Sequence, residues 1–188
     1  MRKIPKLIIF CITLLSCNST TNKKKETVDN SKTIEQTIGK KFFEYDEIDY
    51  YSTDFDESKI SDLYDNQSKT EIDSFKMGII LGDIPKNISD LSFIDKLATI
   101  GYKKTLLDKS KFTGIDKIFV EKTTTENLVT SCIYVYRDIL IFKKDRKIIG
   151  TAKVCFDCMA NQIIGTTANT EYFGQEGDYE NLKKLLRQ

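Results

Sequence analysis

The stretch "SCIYVYRDILIFKKDRKIIGTAKVCF", residues 131–156, contains two apolar runs on either side of a short basic segment. Both runs are rich in β-branched and aromatic residues, which favour strands. The segment between them, "KKDRK" at 143–147, is polar and short enough to connect two antiparallel strands. The stretch therefore predicts a β-hairpin, and we expect a short strand at 162–166, "QIIGT", to extend its sheet.

The alternation of side chains along a strand predicts how the two runs pair, because their apolar faces must coincide. Even-numbered residues supply the apolar face in both runs, and placing Phe142 opposite Ile148 leaves a connection of five residues. The same register puts Cys132 opposite Cys158. Opposed Cα atoms of antiparallel strands lie ~4.5–5.5 Å apart, inside the ~4.4–6.8 Å range of disulfides. Cys132 and Cys158 are therefore the candidate disulfide, while Cys155 falls on the other face and is a candidate free thiol.

Three other interpretations of these cysteines stay open. In a redox centre the "CFDC" motif at 155–158 would open a helix whose dipole stabilises a thiolate, but here the motif follows one predicted strand and precedes another. A structural zinc site would need a fourth ligand beside the three thiols, and Asp157 is the nearest candidate. All three cysteines could also be reduced and buried as small apolar residues.

The segments on either side of the hairpin predict helices that pack on its sheet. The pattern at 89–101 begins at the N-cap candidate Ser89 and ends at Gly101, which suits a left-handed C-terminal position. A weaker helical pattern covers 110–119. Asp178 is expected to cap a final helix with an apolar stripe of Leu182, Leu185 and Leu186.

Two earlier segments are less clear. Residues 70–81, "TEIDSFKMGIIL", fit a helix and a strand equally well. Residues 42–57 interleave aromatic residues with acids, which favours a half-buried strand with a wet face. The alternative for this segment is an acidic aromatic surface for a cationic partner. Together these patterns predict one small α+β domain over 41–188, with an antiparallel sheet and helices packed against it.

The chain begins "MRKIPKLIIFCITLLSCNST". A basic start, a short apolar core and a small residue at its end are typical of a secretory signal peptide. The segment "LLSC" at 14–17 resembles the lipobox of bacterial lipoproteins. That resemblance implies removal of residues 1–16 and acylation of Cys17, so that the protein is anchored to a lipid bilayer. Several acyl chains hold a protein on a membrane durably, whereas one chain does not.

The resemblance also implies a location. Residues 17–40 would be the lipidated cysteine and a flexible tether, since they hold almost no large apolar side chains. In Gram-negative members of the family, Asp after the lipidated cysteine favours the inner membrane, whereas this chain has Asn18. We therefore expect a lipid-anchored protein of the cell envelope, in the outer membrane if the host is Gram-negative. Disulfides persist in that compartment.

Composition excludes several classes of function. The chain has 29 basic and 28 acidic residues, and loss of the three bases of the signal segment would leave a net charge of −2. Nucleic-acid binding is not expected, because it usually needs a basic patch. The sequence contains no histidine, which removes Ser-His-Asp and Cys-His nucleophile pairs and the commonest zinc ligand. No cofactor, metal site or catalytic residue is indicated.

The C-terminal part, roughly residues 130–186, resembles a recurring pattern of small uncharacterised bacterial lipoproteins, carried by "YRDILIFKKDRKIIGTAKVCFDC" and "IIGTTANTEYFGQEGDYENLKKLL". No activity transfers from that resemblance. The expected function is that of a membrane-anchored binding or structural envelope protein, with a protein or an envelope polymer as its partner. The alternatives are an envelope hydrolase that uses carboxylates and a periplasmic thiol or redox protein.

Overall fold

The computed structural model of the chain describes residues 39–123, 131–175 and 177–187. Its strands are β1 (Glu47–Ser52), β2 (Lys103–Leu106), β3 (Asp138–Lys144), β4 (Lys147–Cys155) and β5 (Ala160–Ile164). Its α-helices are α1 (Ile60–Asp65), α2 (Glu71–Ile80), α3 (Phe93–Lys96), α4 (Phe112–Ile118) and α5 (Asp178–Arg187). The strands form one antiparallel sheet in the order β2-β1-β3-β4-β5. The predicted single α+β domain with an antiparallel sheet is confirmed.

Both faces of the sheet are covered by helices. Four successive residues of β3, from Ile139 to Phe142, are each 0 % exposed. Because successive side chains of a strand point to opposite faces, Leu140 and Phe142 join one apolar core with α4 and α5, and Ile139 and Ile141 join a second with α1, α2 and α3. The central hairpin therefore supplies both cores.

The register of that hairpin differs from the prediction. Phe142 lies opposite Gly150, not Ile148, and the pairing shifts by a bulge between Phe142 and Lys143. Gly150 is needed there, because a Cβ on it would lie 2.0 Å from the ring of Phe43. The Phe43 and Phe142 rings stack with their centroids 4.4 Å apart in the space that Gly150 leaves.

Residues 70–81 form a helix, which resolves the ambiguity of that segment. Thr70 and Asp73 form a capping box: the Asp73 backbone N–H donates to Thr70 Oγ1 at 3.1 Å, and the Thr70 N–H donates to the Asp73 carboxylate at 3.0 Å. These bonds satisfy N–H groups that have no partner inside the helix. Ile79 and Ile80 at the other end of α2 are fully buried.

The other helix predictions have mixed outcomes. Ser89 is not an N-cap, because its N–H is held in a turn by Asn87 and α3 begins at Phe93. Gly101 ends the following short 3₁₀ segment with φ 96°, as predicted. The helices predicted at 110–119 and after Asp178 are confirmed as α4 and α5, although Asp178 is the first residue of α5.

The predicted signal segment and Cys17 lie outside the described residues, as does most of the predicted tether. Of the residues that the structure describes, none belongs to a helix of the length and apolarity needed to cross a bilayer.

Candidate functional site

A polar groove of about 540 Å³ opens at the end of the sheet where β1 finishes and β3 begins. We call it the Asp138 groove. The polar residues that line it come from β1 and the loop after it, from the start of β3 and from the end of α5: Tyr50, Ser52, Thr53, Asp54, Arg137, Asp138 and Arg187. Three separate parts of the chain therefore supply its polar groups.

Asp138 forms the floor of the groove and is only 2 % exposed. Its two carboxylate oxygens have different partners: the Tyr50 hydroxyl donates to Oδ1, and the Arg187 guanidinium donates to Oδ2 at 3.2 Å. Burial raises the pKa of Asp138, and the hydrogen bonds from Tyr50 and Arg187 partly oppose that rise. Burial likewise raises the pKa of Tyr50, so its hydroxyl keeps the proton that it donates.

Arg137 fixes the opposite wall of the groove. Its Nε donates to the Phe55 carbonyl at 2.9 Å, and its two terminal nitrogens reach Glu57 and Asp157, each at 2.9 Å. Because a guanidinium presents its donors in a rigid planar fork, these three bonds tie the loop after β1 to the turn after β4. Arg187, by contrast, has a side chain that is 50 % exposed, and it lies over the Phe156 ring.

The groups of the Asp138 groove can bind a polar molecule. The carboxylate accepts hydrogen bonds, the guanidinium groups donate them, and the hydroxyls do both. Asp138 is the one buried carboxylate among the described lining residues, since the Asp54 side chain is 97 % exposed. Across residues 39–123, 131–175 and 177–187, no group of three or more acidic or cysteine side chains is arranged to hold a metal ion.

A second buried charge lies on the other face of the sheet, one ladder position from Asp138. Lys153, near the end of β4, is 0 % exposed. Its ammonium donates to the carbonyls of Ile79 at 2.9 Å and Gly82 at 2.7 Å, where α2 ends, and it lies 4.5 Å from the centre of the Tyr136 ring. Burial lowers the pKa of Lys153 to about 7.

The Lys153 contacts have a structural consequence. The last carbonyls of a helix lack partners within it, and a cation near them is favourable. Gln162, which faces Lys153 across the ladder, donates to the carbonyls of Asp83 at 2.9 Å and Pro85 at 3.1 Å. Lys153 and Gln162 together hold the loop after α2 against the sheet.

The three cysteines of the domain lie close together, but not as the register argument places them. Cys132 and Cys158 form a disulfide with their Cα atoms 6.1 Å apart. Neither belongs to a strand, because β3 begins only at Asp138 and Cys158 lies in the turn between β4 and β5. The prediction that they are directly opposed in a ladder is therefore wrong. Cys155 ends β4 as a buried free thiol.

The acidic segment at 42–57 contains a largely buried strand. Asp49 of β1 is 2 % exposed, and its carboxylate forms ion pairs with Lys104 and Lys143. Lys143 also reaches Glu47 at 2.7 Å. Neighbouring strands thus neutralise the acids of β1. The segment contains a strand rather than an acidic docking surface, but the predicted wet face is wrong, because the residues on both faces of β1 are buried.

Sequence patterns did not single out the residues of the Asp138 groove or Lys153. One signal was present: Arg137, Asp138 and Lys153 are charged residues inside the most apolar part of the chain. A charge in such a run has to find a partner when it is buried, although the sequence does not say which one.

No family model matches the chain, and comparisons with curated proteins and with solved structures gave no significant match. A functional assignment therefore rests on the chain's own residues and their geometry.

Proposed function

We propose that the protein is a lipid-anchored lipoprotein of the cell envelope whose domain binds an envelope partner through the Asp138 groove. Two features support this proposal: the "LLSC" sequence at 14–17, which resembles a lipobox, and the buried Asp138 carboxylate at the floor of a polar groove. The second observation carries the binding function, because Tyr50 and Arg187 hold Asp138 in place and the groove above it presents guanidinium, hydroxyl and carboxylate groups to a ligand.

The partner that suits this groove is a polymer rich in hydroxyl and amide groups. The charged residues that line the groove are balanced, because Asp54 and Asp138 stand against Arg137 and Arg187. A neutral groove of this kind gives no strong attraction to a highly charged ligand. Hydroxyl and amide groups can accept from the half-exposed Arg187 guanidinium and donate to the accessible oxygens of Ser52, Thr53 and Asp54 at the same time, and polymers of the cell envelope carry both.

Binding fits the groove better than carboxylate-based hydrolysis does. Hydrolysis by a carboxylate pair needs two carboxyl groups at a defined separation, one with a raised pKa. Asp138 has a raised pKa, but both of its oxygens are occupied by Tyr50 and Arg187. Asp54, the other acid among the lining residues, projects into solvent.

The binding site is tested by co-sedimentation of the purified full chain with insoluble envelope polymer. We expect Arg187→Gln to weaken binding by about tenfold, which is the size of one lost charge-assisted hydrogen bond. Lys184→Gln is the matched control, because it removes the same charge from α5 at a residue that pairs with Glu180 away from the groove. Equal binding by the wild type and both variants would contradict the groove as the site. Binding to a protein of the envelope, with no binding to the polymer, would contradict the polymer as the partner.

The anchor is tested separately by metabolic labelling with a fatty acid and by membrane fractionation. The Cys17→Ser variant should lose the label and leave the membrane fraction. Cys11→Ser should keep both properties, since Cys11 lies in the segment expected to be removed. Labelled Cys17→Ser protein would contradict lipidation at this residue without bearing on the groove.

A further inference from the structure

The Cys132–Cys158 disulfide has one exposed end and one buried end. Cys132 is exposed, as are its neighbours Ile133 and Tyr134, which are 61 % and 42 % exposed. Cys158 is 5 % exposed and packs with Tyr136 and Cys155 in one small apolar cluster. The free thiol of the domain therefore lies beside the buried half of its disulfide.

The chain between Cys155 and Cys158 allows these two residues to be bonded to each other. Residues 156–159 form the turn between β4 and β5, with Cys155 paired to Ala160 across it. Cys155 directly precedes this turn and Cys158 is its third residue, so the two cysteines are three positions apart where the chain reverses; a disulfide between them needs a Cα separation of ~4.4–6.8 Å. Both cysteines already contribute to the same cluster, so the alternative disulfide requires no large movement of the sheet.

The attacking sulfur also has a hydrogen-bond donor. The backbone N–H of Val135 donates to Cys155 Sγ at 3.4 Å. Thiol–disulfide exchange proceeds through a thiolate, and an N–H group directed at the sulfur stabilises negative charge there.

We propose that Cys132, Cys155 and Cys158 form a thiol–disulfide exchange centre that releases Cys132 as a reactive surface thiol. The Cys155 thiolate attacks Cys158 Sγ, a Cys155–Cys158 bond forms and the Cys132–Cys158 bond breaks. The electron pair of the broken bond leaves on Cys132 Sγ, which takes up a proton equivalent to the one that Cys155 lost. One disulfide and one thiol exist before and after the step, so it requires no external oxidant or reductant.

The consequence is a modification site at Cys132. Once released, its thiol lies at an exposed apolar surface formed with Ile133 and Tyr134, while the new disulfide is buried in the turn. A partner that carries a disulfide could then form a mixed disulfide with Cys132. This inference is independent of the Asp138 groove and of the lipid anchor.

The test is alkylation of the folded full chain at mildly alkaline pH with N-ethylmaleimide, followed by acid quenching and mass spectrometry of an unreduced tryptic digest. In the starting form, the peptide 123–137, which contains Cys132, is cross-linked to the peptide 154–183, which contains Cys155 and Cys158. Exchange separates the two peptides: 123–137 carries the label, and 154–183 contains an internal disulfide. Both products therefore report on exchange by mass.

We expect Cys132 in the wild type to be labelled at least about tenfold faster than in Cys155→Ser, which lacks the attacking thiol. A second variant, Cys132→Ser, should form the Cys155–Cys158 disulfide when incubated with oxidised glutathione. Equal labelling of Cys132 in the wild type and Cys155→Ser would overturn the proposal. Label on Cys158 in place of Cys132 would also overturn it. So would a Cys132→Ser protein in which Cys155 and Cys158 both remain thiols after incubation with oxidised glutathione.

Discussion

Replacement of Lys153 by methionine should remove a steep pH dependence from the stability of the domain. The Lys153 ammonium is fully buried. It donates hydrogen bonds to the carbonyls of Ile79 and Gly82 and makes a cation–π contact with the Tyr136 ring. Burial lowers its pKa from 10.5 to about 7, with a partly opposing effect from Asp83. Methionine keeps an unbranched side chain of similar length and carries no charge.

The direction of the effect follows from proton binding in the two states. Below pH 7 both the folded and the unfolded chain carry the proton, so the folded state bears the whole cost of the buried charge. Between about pH 7 and 10.5 the unfolded chain holds a proton that the folded chain has lost, and the free energy of unfolding rises with pH. The slope in this window is about 1.4 kcal/mol per pH unit, and the full gain approaches about 5 kcal/mol.

The assay is urea denaturation at pH 7.5, 8.5 and 9.5, where partial ionisation of tyrosines in the unfolded chain affects the wild type and the variant equally. The free energy of unfolding should rise by roughly 2–3 kcal/mol more in the wild type than in Lys153→Met over this range. Lys184→Met, at an exposed residue, should follow the wild type. Parallel curves for the wild type and Lys153→Met would contradict this prediction, because they would mean that Lys153 does not titrate in this window.

Three other substitutions test the account at separate points. Arg187→Gln should raise the pKa of Asp138 further, because Arg187 is one of the groups that lower it, and the change is measured from the Asp138 carboxyl carbon by NMR titration. Gly150→Ala should lower the free energy of unfolding by about 1–3 kcal/mol, since its methyl group would overlap the Phe43 ring. Thr70→Ala should cost about 1 kcal/mol by removing the N-cap of α2. Urea denaturation measures both losses.

Different results would contradict these predictions. An unchanged Asp138 pKa in Arg187→Gln would mean that the ion pair is not formed in solution. Lys147→Ala, at an exposed residue of β4, is the control for the two stability variants and should leave the free energy of unfolding within about 0.5 kcal/mol of the wild type. A Gly150→Ala protein as stable as this control would contradict the close packing of Phe43.

The sequence predicts the central hairpin but not its register, and the reason is visible in β3. A register can be predicted when one face of a strand is apolar and the other polar. Ile139, Leu140, Ile141 and Phe142 are all buried, so both faces are apolar and the alternation carries no information about which residues oppose each other. The bulge follows Phe142, which stacks on the ring of Phe43, almost a hundred residues earlier in the chain.

Some signals can be read locally because the interactions are local. The Thr70 and Asp73 capping box of α2 lies within four residues, although the apolar spacing of residues 70–81 alone leaves helix and strand equal. Strand β2 shows the opposite case: all four of its residues are exposed, so no apolar pattern marks it, and it exists because its backbone pairs with β1.

The candidate site could not be predicted because its residues come from distant parts of the chain. Tyr50, Asp138 and Arg187 are brought together only when β1, β3 and α5 have packed. Lys153 likewise finds its acceptors at the end of α2, more than seventy residues away. The sequence shows that these charges stand in apolar surroundings, whereas their partners depend on tertiary structure.

The claim that this is a lipid-anchored envelope protein is tested most directly by mass spectrometry of the N-terminal peptide of the protein purified from membranes of its host. The chain should begin at Cys17, residues 1–16 should be missing and Cys17 should carry acyl groups. A chain that still begins at Met1, or one that begins elsewhere with an unmodified residue, would contradict it.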